Sequence, residues 1–166
     1  MVGFDGAPWV GAGCNGGVYS DRANLQATWE TNAARAGRTS ILTDYASGSR
    51  GAAIGSMSVD AQVGAFLGDL DAVVPGSAAA ARRTASGSYH AARAHWPSNP
   101  LSRGSYTCYR PGQFTGIAGL EAQAVGKLKF AGEHADSFYS WQGFMEGACL
   151  SGIRAANEIL DDMQHG

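Results

Sequence analysis

The residues best suited to chemistry lie near the carboxyl end, in the stretch KLKFAGEHADSFYSWQGFMEGACL at positions 127–150. An apolar segment ends there at a glycine, a loop follows, and a helical pattern begins with the small residues Gly143, Gly147, Ala148 and Gly152. Small residues leave the first turns of a helix bare, so that a large planar ligand can touch the backbone. A helix start also offers unpaired N–H groups and about half a positive charge, which suit a phosphate or an electron-rich ring edge.

A second glycine motif lies near the amino end, where Gly11, Gly13 and Gly16 spell G-x-G-x-x-G and Glu30 follows. A dinucleotide-binding loop of this form needs a strand before it and a helix after it. Only the short apolar run PWV precedes the glycines, and the following residues VYSDRANLQATWE alternate like a strand. We therefore predict a glycine-rich hairpin loop instead of a dinucleotide site.

Other reactive side chains give no recognisable site. Glu133 and His134 are adjacent, and adjacent residues rarely converge on one metal ion, so no metal site is predicted. The three cysteines are widely spaced, fit neither a disulfide framework nor a zinc site, and are interpreted as reduced thiols. His90 and His95 are predicted to be strand or surface residues, because no nucleophile motif accompanies them.

Composition limits the class of protein. The 166 residues are 45% hydrophobic, which is enough to fill a core. With 12 Lys and Arg against 14 Asp and Glu, the net charge is -2 and no block of like charge occurs, which argues against nucleic acid and acidic membrane surfaces as partners. No stretch approaches the roughly 20 apolar residues of a membrane span, and no export signal is visible in this chain, so a cytoplasmic location is expected.

The elements that position these residues can be read from hydrophobic periodicity. Short apolar bursts between glycines in residues 2–53 predict strands. Ser58 is predicted to cap a helix whose apolar face begins at Val59 and ends at Leu70. Strand character is also predicted for residues 89–96, which stop at Pro97, and for a short apolar segment at residues 125–130.

The clearest periodic signal is a long carboxyl-terminal helix. Its apolar residues share one stripe, which we expect to pack on a sheet. The stripe consists of Met145, Ala148, Cys149, Gly152, Ile153, Ala156, Ile159, Leu160 and Met163.

The same stretch resembles the closing segment of flavin monoamine oxidases, polyamine oxidases and L-amino-acid oxidases. These proteins have an apolar strand, a G-E-H or G-T-E loop and then a G-aromatic-M-E-G-A helix start. Upstream, HAARAHWPSNPLSRGSYTCYRPGQ is similar to the strand of that family that ends in Trp, followed by a loop with proline and a G-x-Y motif. Weaker similarity extends through GGVYSDRANLQATWET and SILTDYASGSRGAA.

The resemblance implies a mixed α/β fold. Residues 96–166 would be the carboxyl-terminal part of an FAD-binding Rossmann-like domain, with its last strand and long helix. Residues 1–95 would be part of an antiparallel substrate-binding domain. The family's initial phosphate-binding loop and its lysine near flavin N5 are not found in place, and Lys127 and Lys129 both lie in the late strand. An amino-terminal FAD-binding portion is therefore expected to be missing or supplied by another chain.

Cofactor contacts follow from the resemblance residue by residue. Glu133 would bond the ribityl or phosphate part of FAD, Gly143 and Met145 would offer N–H groups to the pyrimidine edge, and Trp96 would lie against the isoalloxazine. Ser105 stands where covalently flavinylated members have cysteine, so the FAD would be non-covalent. The complete set of predicted cofactor-binding residues is Trp96, Ser105, Gly132, Glu133, Gly143, Phe144, Met145 and Ala148.

The predicted catalytic residues are Tyr106 and Phe144, the two walls of an aromatic cage that holds a neutral amine before the flavin. The complete enzyme would oxidise an amine C–N bond to an imine, with hydrogen peroxide formed when dioxygen reoxidises the flavin. This chain alone is expected to be inactive. Two alternatives stay open: a non-catalytic fragment or structural subunit, and an oxidase for amino acids or polyamines. An α-amino acid would need a carboxylate-binding arginine, for which Arg22, Arg50 and Arg103 are available.

Overall fold

The computed structural model describes residues 1–34, 37–136 and 140–165. They form two compact units, residues 1–103 and residues 104–166. The boundary between the units lies beyond the predicted one after residue 95. The assignment of the two parts to a substrate domain and an FAD domain stays a prediction.

The first unit is built on a four-stranded sheet. Its strands are β1 (Val2–Asp5), β2 (Val18–Tyr19), β3 (Ala27–Glu30) and β4 (Thr39–Tyr45), in the spatial order β1-β4-β3-β2. All three pairings are antiparallel. This confirms the antiparallel sheet and the mixed α/β class predicted from the sequence.

Strand β4 shows how the sequence sets the two faces of the sheet. Ser40 and Leu42 are buried, whereas Ile41 and Tyr45 on the opposite face are exposed, as the two-residue period of a strand requires. The buried face packs against helices in a single core. That core contains Val2, Phe4, Trp9, Leu25, Leu42, Val63, Phe66, Leu67, Leu70 and Val74.

Helix α3 (Val59–Asp71) supplies much of that core and confirms the predicted capped helix. The Ala61 N–H donates to Ser58 Oγ at 3.2 Å, which satisfies one amide of the first turn. Val63, Phe66 and Leu70 are all buried on the predicted face. The other helices of this unit are short: α1 (Pro8–Gly11), α2 (Gly48–Ile54), α4 (Ser77–Ala80) and a 3-10 turn at Trp96–Ser98.

Three predictions for individual segments are wrong. The glycines at positions 11–16 do not close a hairpin, because they connect α1 to β2 while β1 pairs with the distant β4. Residues 89–96 are not a strand: Tyr89 and Ala91 form only single bridges, with Arg83 and Val2. Residues 125–130 are likewise not a strand, since Val125 and Leu128 form only a bridge with each other.

The second unit contains α5 (Gln113–Ile117), a 3-10 turn at Glu133–Ala135 and the long helix α6 (Met145–His165). The predicted long helix is confirmed, whereas its apolar stripe is exposed in this chain and its packing on a sheet stays a prediction. Ile153 is 61% exposed and Met163 77% exposed. Within this unit the stripe has no sheet to pack on, because the described residues of the unit contain no strand.

The buried face of α6 is a different one, formed by the small residues Gly147, Ser151 and Ala155 at four-residue spacing. This face contacts the 3-10 turn that begins at Glu133. Two cationic side chains hold the preceding segment to the same helix. Lys129 pairs with Asp162 at 2.8 Å, and Arg154 donates to the Phe130 carbonyl at 2.8 Å. None of the described helices is both long enough and apolar enough to cross a membrane.

Candidate functional site

The start of α6 is shaped by a tight turn. The Phe144 N–H donates to the Trp141 carbonyl at 3.0 Å, and the Trp141 N–H donates to Asp136 Oδ2 at 2.8 Å. A Cβ at Gly147 would lie 2.9 Å from the Trp141 carbonyl carbon and closer still to its oxygen, so only glycine fits. The Ala148 N–H donates to the Phe144 carbonyl, which makes this the first bond of the helix.

The backbone N–H groups that precede Ala148 in the first turn of α6 therefore lie at the helix N-terminus. In an α-helix the first N–H groups have no carbonyl one turn earlier to bond. Here these groups belong to Met145, Glu146 and Gly147, and the Met145 residue is 87% exposed. The sequence prediction that Met145 offers its N–H to a ligand is compatible with this geometry and stays a prediction.

The Glu133 carboxylate connects two segments of this unit. Its Oε1 accepts from the Thr107 N–H at 2.7 Å and from Thr107 Oγ1 at 3.0 Å, and its Oε2 accepts from the Gly143 N–H at 2.6 Å. The Gly143 N–H is therefore bonded within the chain, and its contact with the flavin ring stays a prediction. An ionised carboxylate has about four acceptor sites, so one site of Glu133 remains for an outside donor.

Gly132 and Ala148 are connected through a serine that sequence reasoning missed. Buried Ser151 donates from its Oγ to the Gly132 carbonyl at 2.8 Å and to the Ala148 carbonyl at 3.0 Å, and it accepts from the Gly132 N–H at 3.0 Å. Gly132 has a φ of 131°, which only glycine adopts without strain. The signal in the sequence was the four-residue spacing of small residues that places Ser151 below Gly147.

The two predicted cage residues are both exposed side chains of the second unit. Tyr106 is 56% exposed and Phe144 is 61% exposed. The Phe144 ring packs edge-on against Trp141, with ring centroids 6.0 Å apart. Ser105 Oγ donates to the Tyr106 carbonyl at 3.1 Å. Whether the Tyr106 and Phe144 rings face each other stays a prediction.

A second set of hydrogen bonds joins the segments that Glu133 connects, and the sequence did not predict it either. Gln142 Nε2 donates to the Tyr109 hydroxyl at 2.9 Å and to the His134 carbonyl at 3.3 Å. The Tyr109 hydroxyl in turn donates to the Glu121 carboxylate. Their spacing in sequence, 33 residues between Tyr109 and Gln142, left no local signal from which this network could have been found.

Trp96 lies in the first unit, in the 3-10 turn Trp96–Ser98, and is 56% exposed. Two of the arginines considered for a substrate carboxylate, Arg22 and Arg50, have partners in the same unit. Arg22 Nη1 lies 3.5 Å from Asp69 Oδ1, and Arg50 Nη2 donates to the Asp21 carbonyl at 2.7 Å. The Arg103 backbone has a positive φ of 55°.

The first unit also contains a cavity of about 270 Å³, lined by residues that include Asp44, Arg50 and Met57. Burial raises the pKa of Asp44 to about 6, although the Gln26 backbone N–H and the amino terminus act in the opposite direction. Asp44 Oδ1 is buried and has no hydrogen-bond partner among the described residues. None of the predicted cofactor-binding or cage residues lines this cavity, although the candidate arginine Arg50 does.

With the geometry established, the chain can be compared with known proteins. The sequence model for flavin containing amine oxidoreductases matches residues 2–160. The chain belongs to this family. It is 39% identical over 98 residues to amine oxidase [flavin-containing] B of Sus scrofa, an alignment that covers 58% of this chain and 18% of that protein.

Two solved structures of amine oxidases share the fold. Cyclohexylamine oxidase from Brevibacterium oxydans IH-35A has a TM-score of 0.76 at 21% identity, covering 99% of this chain and 34% of that one. Wild-type putrescine oxidase bound to putrescine has a TM-score of 0.74 at 17% identity, covering 96% of this chain and 34% of that one. The chain thus spans about a third of the length of these family members.

Family membership implies FAD as the cofactor, and the residues present fit parts of it. The exposed Met145 leaves the N-terminus of α6 accessible, and the amides of this first turn suit an electron-rich ring edge. Glu133 keeps an acceptor site for a hydroxyl group. Among the described residues, no group of three His, Cys, Asp or Glu side chains could hold a metal ion.

Proposed function

We propose that the protein containing this chain is an FAD-dependent oxidase that converts an amine C–N bond to an imine and produces hydrogen peroxide. The observation that carries this proposal is the family match over residues 2–160, to which the exposed start of α6 at Met145 adds an accessible helix N-terminus. The names of the similar proteins, which include a cyclohexylamine oxidase and a putrescine oxidase, support an amine as the substrate.

The chain's residues would hold the cofactor from one side. The Met145 amide would donate to the pyrimidine edge of the ring. The remaining acceptor site of Glu133 would take a ribityl hydroxyl. Ser105 has no thiol and Cys108 lies three residues further along, so the FAD would be non-covalent.

Tyr106 and Phe144 would orient the substrate. Both rings are exposed and can therefore contact a ligand. A neutral amine offers little charge to bind, so two flat apolar walls would restrict its approach until the α C–H points at the reactive atom. FAD, when bound, supplies the hydride acceptor and the reaction with dioxygen.

The rest of the FAD-binding domain would cover α6. Its apolar stripe is unpartnered in the described chain, with Ile159 47% and Leu160 52% exposed. An amino-terminal portion with a phosphate-binding loop, on the same polypeptide or on a second one, would bury this stripe and hold the diphosphate. This chain alone should then bind no FAD and should self-associate through its exposed apolar surface.

The test is to produce this chain with and without the adjoining FAD-binding portion and to record the visible spectrum of each after gel filtration. We expect flavin only in the longer form. Cyclohexylamine, putrescine and an α-amino acid are then added without oxygen. Bleaching of the flavin by one of the amines, with peroxide formed on readmission of air, supports the proposal.

The same preparation separates the alternatives. Bound flavin that no substrate reduces would identify a non-catalytic subunit, and reduction by the amino acid alone would identify an amino-acid oxidase. A stoichiometric flavin band on the chain by itself would contradict the requirement for the adjoining portion. Acid precipitation should release all the yellow colour, and colour retained in the pellet would show covalent attachment.

A further inference from the structure

The Glu133 carboxylate bonds to a sequence neighbour of each predicted wall of the substrate cage. It accepts both the N–H and the hydroxyl of Thr107, the residue after Tyr106. It also accepts the N–H of Gly143, the residue before Phe144. One side chain thus joins the backbone beside one wall to the backbone beside the other. We call these three hydrogen bonds of Glu133, two to Thr107 and one to Gly143, the joint.

We propose that Glu133 is a positioning residue that fixes the spacing of the Tyr106 and Phe144 walls. This inference rests on the proposed function. Adjacent Cα atoms are about 3.8 Å apart across a rigid planar peptide, so a shift at Thr107 or Gly143 is passed to the neighbouring wall. Displacement of a substrate by about 1 Å costs roughly a hundredfold in rate, so the joint matters to turnover.

The chemistry of the joint requires a carboxylate. All three groups that meet Glu133 are donors, and the bonds of 2.6–3.0 Å are those of charge-assisted hydrogen bonds. Glutamine has one acceptor oxygen and an NH₂ donor. If its oxygen stays with Thr107, its NH₂ faces the Gly143 N–H, and that side of the joint opens.

The surrounding structure allows the joint to be broken without unfolding the unit. Gln142 bonds to the Tyr109 hydroxyl and to the His134 carbonyl. Ser151 separately holds Gly132 to α6. A Glu133→Gln variant should therefore keep its fold, and its FAD would lose at most one ribityl contact and stay bound, while the walls lose their fixed spacing.

The experiment compares Glu133→Gln with Glu158→Gln in the full protein with its flavin. Glu158 pairs with Arg154 on α6 and lies far along the helix from both walls, so it controls for the loss of one carboxylate. Stopped-flow reduction of the flavin by a saturating amine should be at least tenfold slower in Glu133→Gln and unchanged in Glu158→Gln. Apparent substrate binding should change much less than the reduction rate.

A graded variant and a structural readout complete the test. Thr107→Val removes one of the three bonds and keeps both backbone contacts, so its reduction rate should fall much less. Amide hydrogen exchange at Gly143 should be faster in Glu133→Gln than in the unchanged protein, which tests the joint even if no amine reduces the flavin.

Three results would overturn the inference. Unchanged exchange at Gly143 would show that the joint does not hold this segment. Faster exchange with an unchanged reduction rate would show that the joint does not position the walls, while leaving the oxidase activity intact. Loss of FAD from Glu133→Gln would assign the carboxylate to holding the cofactor instead.

Discussion

Replacing Gly147 by alanine is the most direct test of how the candidate site is built. The added Cβ would lie 2.9 Å from the Trp141 carbonyl carbon, closer to its oxygen, and 3.2 Å from Asp136 Cβ. Real Cβ contacts essentially never fall below 3.0 Å, and the obstacle here is backbone, which cannot rotate away. Because non-bonded carbon atoms pack at about 3.5–4.0 Å, the turn would have to retreat by roughly 1 Å.

The expected loss of stability is the difference between two effects. Forcing an extra carbon into a packed site costs about 1–3 kcal/mol. Alanine recovers at most about 1 kcal/mol from its better helix propensity. With the full recovery, we expect Gly147→Ala to lower the free energy of unfolding by up to about 2 kcal/mol. Gly152→Ala is the matched control on the same helix: a Cβ there meets nothing within 4 Å, so it should stabilise by up to about 1 kcal/mol.

Urea unfolding of the unchanged chain and both variants, followed by far-ultraviolet circular dichroism, measures these differences. All samples need one protein concentration, because self-association makes apparent stability depend on it. A Gly147→Ala variant as stable as Gly152→Ala would refute the reasoning. It would show that the Trp141 turn yields at no cost and that Gly147 does not shape the start of α6.

Three further predictions concern other parts of the chain. Ser58→Ala should cost about 1 kcal/mol in the same unfolding assay, because the Ala61 N–H loses its cap; no change would contradict the cap. Asp44 titrates at about 6 when folded against 3.8 unfolded, so its contribution to stability falls as pH rises through that interval. Melting temperatures should therefore decline less from pH 4 to pH 6 in Asp44→Asn, and parallel curves would contradict this. In Tyr106→Ala and Phe144→Ala, FAD should stay bound but be reduced by the amine about a hundredfold more slowly. Phe144→Tyr should stay active. Unchanged stopped-flow rates of flavin reduction in both alanine variants would show that these rings only pack in the structure.

Elements that carry their own local signals could be predicted from the sequence. Helix α3 has a capping serine and an apolar face at helical spacing, and both were found as expected. The long helix α6 has a periodic stripe over six turns of sequence, and it too was found. The strands of the sheet were indicated by two-residue alternation between glycines.

Features that depend on distant partners could not be predicted in the same way. The glycine-rich segment at positions 11–16 has hairpin composition, but β1 pairs with β4, and no local pattern encodes that choice. Residues 125–130 have strand composition, yet a strand is defined by the ladder it forms, and the described second unit provides no partner. The three bonds of Glu133 likewise join segments 26 and 10 residues away.

Helix α6 shows what an amphipathic pattern does and does not determine. Its stripe of large apolar residues indicated correctly which residues favour burial, but it could not indicate what covers them. The face that is buried in this chain is the inconspicuous one, Gly147, Ser151 and Ala155, whose small side chains let the segment from Gly132 approach the helix closely. The segment around Gly132 packs on the small-residue face, and we expect a further part of the longer protein to cover the large apolar face, since the solved family members are about three times as long as this chain.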